Sequence, residues 1–240
     1  MKNEKRLAAI VLAAGKGKRM GSDLPKQYLK LLGKPVLWYA LKAFEDSFVD
    51  EVILVTAEEE IGYCQREIVE RYDLKKVTKI VAGGKERYHS VANGLEAADC
   101  DYVFIHDGAR PLLDEEMLSR LFSEVRQHGT AIAAMPAKDT VKIADDGGFA
   151  ISTPDRSHVW QMQTPQVFSY QPIKEAYEKL LASEEELIQK GISVTDDAMV
   201  METFGTLPVK LVTGSYRNIK ITTPEDLKIA EAFLNAPSEK

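Results

Sequence analysis

With 240 residues the chain is long enough for one large domain or two small ones, and length alone favours one. Hydrophobic residues make up 45% and charged residues 28%, the balance of a folded globular protein and not of a disordered one. The net charge of −6 means that a polyanion can be held only at a local basic patch, which argues against a nucleic-acid binder.

No run of eighteen apolar residues is present, so no membrane partner is expected. Lys2, Lys5 and Arg6 precede an apolar stretch at 7–14, an arrangement that imitates an export signal. Lys16, Lys18 and Arg19 follow at once, where such a signal needs small uncharged residues, so a buried strand is the better reading. Cys64 and Cys100 are too few for a disulfide scaffold or a zinc site. These features together predict a soluble cytoplasmic protein.

In chain order, apolar runs at 7–13, 51–55, 79–81, 102–106 and 131–135 predict short strands. Most are continuously hydrophobic, as strands covered on both faces must be. Helical patterns lie between them at 36–44, 58–72, 88–97 and 114–128. In the last of these Leu118, Leu121, Phe122 and Val125 recur at helical spacing, with Asp114 as cap and Gly129 past the end. Alternation of this kind predicts an α/β fold, a mainly parallel twisted sheet with helices on both faces. The rhythm then breaks at 140–144 and 149–153, two short strands around Asp145-Asp146-Gly147-Gly148. A two-stranded hairpin is marginal alone, so this arm, at about 137–157, is expected to pack on something, such as a second subunit. A helix near 171–190, strands near 209–212 and 218–221, and a helix at 224–234 opened by Thr223 and Pro224 complete one domain over 1–240.

Chemistry is expected beyond the carboxyl ends of the strands. The first strand runs into Ala13-Ala14-Gly15-Lys16-Gly17-Lys18-Arg19, then Pro25-Lys26-Gln27. Neither a Rossmann nor a P-loop pattern fits, because Met20 stands at the third glycine position and no Gly-Lys-Ser/Thr follows. Four cations within eleven residues (Lys16, Lys18, Arg19 and Lys26) nevertheless make a plausible triphosphate cradle in an acidic protein. A solvated lysine-rich loop would account for Lys16 and Lys18, less well for Arg19 and Lys26.

Asp107, at the end of the fourth strand, can either hold Mg²⁺ against a phosphate or cap a turn with Gly108, while His106 reads as structural. Gly83-Gly84-Lys85-Glu86-Arg87-Tyr88-His89-Ser90 is a glycine loop opening a helix, suited to a nucleotide. Thr195-Asp196-Asp197 precedes an apolar helix and can cap it. Lys220, between Ile219 and Ile221, wants an anionic partner unless it is an exposed edge lysine.

In joint order and spacing these segments resemble the cytidylyltransferases that activate small polyol phosphates, nearest the branch acting on 2-C-methyl-D-erythritol 4-phosphate in the non-mevalonate isoprenoid pathway. The resemblance rests on Ala13-Ala14-Gly-x-Gly-x-Arg19-Met20, Pro25-Lys26-Gln27, Gly83-Gly84-x-x-Arg87-x-x-Ser90 and His106-Asp107-Gly-Ala-Arg110-Pro111. It continues through Lys138-Asp139-Thr140, Arg156 with Thr164-Pro165-Gln166, Thr195-Asp196 and Asn218-Ile219-Lys220. It implies a Rossmann-like nucleotidyltransferase fold and a Mg²⁺-dependent transfer of CMP from CTP without a covalent intermediate. It also implies a homodimer joined through the arm.

By the same resemblance Arg19, Lys26 and Lys220 act on the reacting phosphates, and Asp107 is the metal ligand. Ala13, Ala14, Gly15, Gly17, Gly84, Lys85 and Ser90 hold the nucleotide, and Thr140, Arg156, Thr195 and Arg110 the polyol phosphate, the first two from the neighbouring subunit. Arg217 stands where an acidic residue is often found, which weakens a second carboxylate at the metal. A sister family acts on ribitol 5-phosphate; Leu12 leans toward it, whereas Ala14 and Arg156-x-x-x-Trp160 lean away. A nucleotide-binding regulatory protein without turnover is the non-enzyme alternative.

Overall fold

The computed structural model describes residues 5–15 and 25–236. The first half alternates as expected: β1 (Leu7–Leu12), a two-residue pair β2 (Lys30–Leu31) and β3 (Lys34–Pro35), α1 (Val36–Glu45) and β4 (Glu51–Thr56). A helical run follows in which a 3₁₀ turn at Glu58–Glu60 leads into α2 (Ile61–Tyr63) and a π-helical stretch at Cys64–Glu70. Then come β5 (Val77–Ala82), α3 (Arg87–Ala97), β6 (Tyr102–Asp107), α4 (Glu115–His128) and β7 (Thr130–Pro136).

Asp114 caps α4 by accepting from the Met117 amide at 2.7 Å, and Gly129 ends it in the left-handed region at φ 75°. The second half contains the hairpin strands β8 (Ile143–Ala144) and β9 (Ala150–Ser152), then β10 (Trp160–Ser169), α5 (Tyr170–Ala182), α6 (Glu184–Gln189), α7 (Asp197–Phe204), β11 (Leu211–Thr213) and α8 (Pro224–Asn235).

Seven strands form one sheet in the order β11-β7-β10-β6-β1-β4-β5. All run parallel except β10, which is antiparallel to both β6 and β7. Side chains of β1 alternate between two cores. Ala9 and Val11 pack with Phe44 of α1 and Leu121 of α4, while Ala8 and Ile10 pack with Leu95 of α3 and Tyr177 of α5. A small third cluster, Leu31, Val36, Ile221 and Ala230, ties α8 beneath the 218–222 segment.

Three expectations need correction. Residues 218–221 are not a strand: the Ile221 amide donates to Ala109 O at 2.8 Å and that of Asn218 to Ser215 O at 3.1 Å, so the segment is a turn stapled to the end of β6. The helix near 171–190 is two helices, α5 and α6, parted at Ser183. The ten-residue β10 was not anticipated. Its register shifts between Met162 and Gln166, where Pro165 lacks an amide hydrogen to donate.

Candidate active site

The order of the sheet reverses at β1, since the chain moves from β1 outward through β4 and β5, then returns to place β6 on the other side. Such a switch point opens a crevice at the carboxyl ends of the strands. Leu12 pairs with both Val55 and Asp107, so the loops after β1, β4 and β6 start level. A cavity of about 620 Å³ lies there, within the range of small-ligand sites.

The β1 loop forms one wall. Gln27 and Tyr28 are buried anchors: Gln27 Nε2 donates to Ala13 O at 2.6 Å, and the Tyr28 hydroxyl donates to Glu60 Oε2 at 2.8 Å. They hold a 3₁₀ turn at Lys26–Tyr28 that sets Lys26 in the cavity wall beside Ala13, Ala14 and Gly15. Arg19 and Gly17, with Lys16 and Lys18, lie outside the described residues.

The opposite wall is the start of α3. Glu86 and His89 cap each other's backbone, and the Gly84 amide donates to Ser90 Oγ at 3.0 Å. A Cβ on Gly83 would stand 2.5 Å from Ala14 Cβ, and one on Gly84 2.3 Å from His89 Cβ, so both glycines are required by close approach. Gly84, Lys85 and Ser90 line the cavity beside the N-terminus of α3.

The floor is Asp107. Lys220 Nζ lies 2.8 Å from Asp107 Oδ2, Arg87 Nε 3.7 Å from Oδ1 and Arg110 Nε 3.8 Å from Oδ2. Burial alone would raise the Asp107 pKa, but Arg87, Lys220 and Arg110 outweigh it and hold the carboxyl well below the usual range. The anion that Lys220 needed is therefore Asp107, 113 positions earlier in the chain. His106 is structural, as read. It is fully buried, with Nε2 3.1 Å from Arg110 O and Nδ1 3.1 Å from Thr164 Oγ1, which itself accepts from the Asp107 amide. One proton arrangement satisfies the whole chain: Thr164 donates to Nδ1, and a neutral ring donates from Nε2 to Arg110 O. Burial pushes the His106 pKa down to about 4, consistent with a neutral ring.

Two groups of predicted residues sit elsewhere. Arg110 does not line the described cavity; its side chain is 11% exposed and its Nη1 donates to Asn218 O at 2.7 Å, so it braces the turn that carries Lys220. Thr140 and Arg156 are exposed on the arm, where Arg156 Nη1 donates to Lys138 O at 2.8 Å, and Thr195 is exposed ahead of α7. None of these three lines the cavity. Sequence reasoning missed Gln27 as the anchor of Lys26, and it missed Arg87 as a charge partner of Asp107. For Gln27 the signal was its place beside Lys26; Arg87 stands in the glycine-loop motif, but nothing in its spacing, twenty residues before Asp107, points to that carboxylate.

Four cationic side chains (Lys26, Lys85, Arg87 and Lys220) against Glu86 and Asp107 give the described lining a net positive charge, which suits a polyphosphate. Glu86 is taken up in capping α3, so Asp107 is the carboxylate offered to the cavity, and it fits Mg²⁺, which takes one or two carboxylates and completes its shell with substrate phosphates and water. Among the described residues no group of three His, Cys, Asp or Glu could enclose a metal by itself.

The family profile for IspD, 2-C-methyl-D-erythritol 4-phosphate cytidylyltransferase, matches residues 7–236. The chain is 50% identical over 230 residues to the enzyme of that name from Lachnoclostridium phytofermentans, covering 95% of this chain and 96% of that one. Against the enzyme of the same name from Lachnospira eligens it is 54% identical over 228 residues, covering 94% and 98%. The crystal structure of 4-diphosphocytidyl-2C-methyl-D-erythritol synthase from Anaerococcus prevotii superposes with a TM-score of 0.82 at 38% identity, covering 97% of both chains. A second such structure, the cytidylyltransferase from Thermus thermophilus, gives 0.71 at 29% identity, covering 95% and 98%. With its fold, cavity and sequence in agreement, the chain belongs to the 2-C-methyl-D-erythritol 4-phosphate cytidylyltransferase family.

Proposed function

We propose that the β1–β6 cavity is where this enzyme moves CMP from CTP to 2-C-methyl-D-erythritol 4-phosphate, giving 4-diphosphocytidyl-2-C-methyl-D-erythritol and pyrophosphate. The observation that carries the assignment is the convergence of Lys26 and Lys220 with Asp107 between two glycine-rich loops. A phosphate oxygen of the acceptor attacks the α-phosphorus of CTP. The new P–O bond forms as the α–β bridging bond breaks, and its electron pair leaves with pyrophosphate. Both reactants are anions, so the protein must offset their repulsion and hold them in line. No nucleophile or general acid–base group is required.

Lys26 and Arg19 act on the α-phosphate as its charge develops. Lys220, on a turn fixed by Arg110 and Ile221, approaches the same phosphates from the floor. Ala13, Ala14 and Gly15, with Gly17, Gly84, Lys85 and Ser90, hold the nucleotide, the small residues by letting it approach closely and Lys85 by its charge. Asp107 is the residue that would hold Mg²⁺, which when bound neutralises phosphate charge. Thr140 and Arg156 reach the acceptor from a second copy of the chain, with Thr195 beside it. The exposure of Phe149 at 76% and Ile151 at 67% supports an arm that another subunit covers.

Arg19→Ala and Lys26→Ala test the assignment by steady-state kinetics. Each should lower kcat by roughly 10²–10³, the scale for removing one electrostatic stabiliser, with little change in melting temperature. Near-normal turnover in both variants would refute it.

A further inference from the structure

We propose that Arg87 is a positioning residue: through a buried pair with Asp197 it fixes the turn that carries Thr195 against the nucleotide cavity. The inference rests on the reading of Thr195 as an acceptor-side residue. Arg87 Nη1 and Nη2 donate to the two oxygens of Asp197, each at 2.8 Å, and the Tyr177 hydroxyl donates to Asp197 Oδ1 at 2.6 Å. Asp197 is fully buried, so Arg87 is its obligatory counter-charge. Both terminal nitrogens of the fork face this carboxylate, which leaves the guanidinium poorly placed to grip a phosphate, although Arg87 lines the cavity.

Its neighbour Asp196 is held from another direction. Asp196 Oδ1 accepts from the Met199 amide at 2.9 Å and Oδ2 from Gln166 Nε2 at 3.0 Å, while Gln166 Oε1 accepts from the Ala198 amide at 2.8 Å. The start of α7 is thus bolted to β10 by Gln166 and to the first residue of α3 by Arg87. The same residue places Nε 3.7 Å from Asp107, so the nucleotide wall, the floor and the acceptor-side turn share one side chain. A buried ion pair adds little net stability over a well-packed apolar pair; what the bidentate fork adds is a fixed relative geometry.

Asp197→Asn and the neutral pair Arg87→Gln/Asp197→Asn separate geometry from stability. The single variant leaves Arg87 without its buried carboxylate and should melt well below the wild type, whereas the double variant should recover most of that loss. The double variant should still have kcat/KM for methylerythritol phosphate lower by roughly 10- to 100-fold, as expected when a reactant is misplaced by about an ångström, with the KM for CTP raised less than that for the acceptor, through the loss of Arg87 beside Asp107. Amide exchange at 194–199 should be faster in it, a readout independent of which substrate the enzyme takes; wild-type turnover, run alongside, judges the substrate assignment separately. Recovery of both melting temperature and acceptor kcat/KM in the double variant would reduce the pair to a structural one. Unchanged exchange at 194–199 would overturn the inference, as would a CTP KM rising in step with that of the acceptor.

Discussion

Lys220→Met separates what the Lys220–Asp107 contact does for folding from what it does for catalysis. The ammonium sits 2.8 Å from Asp107, but the lysine side chain is 39% exposed, so its loss should cost no more than about 1 kcal/mol of stability. Asp107 would keep Arg87 and Arg110 at 3.7 and 3.8 Å and would not be left uncompensated. In a chain of this size ~1 kcal/mol moves Tm by roughly 2–4 °C. Removing a cation from the reacting phosphates should cost more, about 2.7–4 kcal/mol, or a roughly 10²–10³-fold fall in kcat.

Asp107→Asn should show the opposite balance in stability. It leaves Arg110, itself 11% exposed, facing a neutral amide in place of its carboxylate, while Arg87 keeps its fork on Asp197 and the partly exposed Lys220 reaches solvent. Breaking a buried pair from one side costs about 3–5 kcal/mol, and with one cation left buried without its carboxylate the loss should fall at the lower end of that range. Thermal melts with coupled pyrophosphate assays on both variants read the two quantities independently. A Lys220→Met protein that melts normally and turns over at more than a third of the wild-type rate would refute the reasoning, as would an Asp107→Asn protein of unchanged Tm.

Among the described residues a Cβ on Gly15 meets nothing within 4 Å, so Gly15→Ala should melt like the wild type while raising the KM for CTP; a fall in Tm with unchanged KM would contradict the loop's role as a nucleotide wall. Arg156→Ala should raise the KM for the polyol phosphate and spare that for CTP, because the side chain lies on the exposed arm and outside the cavity; the reverse pattern in initial-rate kinetics would exclude it from the acceptor site. His106, held neutral at a pKa of about 4 against 6.5 unfolded, binds its proton more readily in the unfolded chain. Its contribution to stability is complete above pH 6.5 and is lost as pH falls toward 4, so urea melts between pH 5 and 6.5 should show a slope that His106→Gln flattens. Equal slopes in both proteins would contradict the neutral buried ring.

Much of the sheet could be read from the sequence because β1, β4, β6 and β7 are buried on both faces and are written as unbroken apolar runs. β10 is different in kind. Gln161, Gln163, Gln166 and Pro165 break its pattern, yet it lies inside the sheet, with Val167 and Phe168 facing opposite cores and Gln166 turned to Asp196 and Ala198. Gln163 and Gln166 face partners while Gln161 faces water, and no periodicity reports that division. The same limit applies at the site. Local sequence marked Lys26, Gly84, Ser90 and Asp107, each in or beside a strand-to-helix turn. The pairings that orient them, Asp107 with Lys220 and Arg87 with Asp197, join residues 113 and 110 positions apart, beyond any spacing rule. Asp196 and Asp197 show the point most closely: either could have capped α7, and the fold gives the cap to Asp196 and buries Asp197 against Arg87.

The most direct test of the account is pyrophosphate release from CTP and Mg²⁺ with 2-C-methyl-D-erythritol 4-phosphate and, in parallel, with ribitol 5-phosphate. The two acceptors differ in a methyl-bearing carbon and chain length, which one apolar contact discriminates by about 1–3 kcal/mol. The account predicts turnover with the methylerythritol phosphate at least tenfold above that with ribitol phosphate. Turnover with ribitol phosphate alone, or none with either from a folded protein that binds CTP, would contradict it.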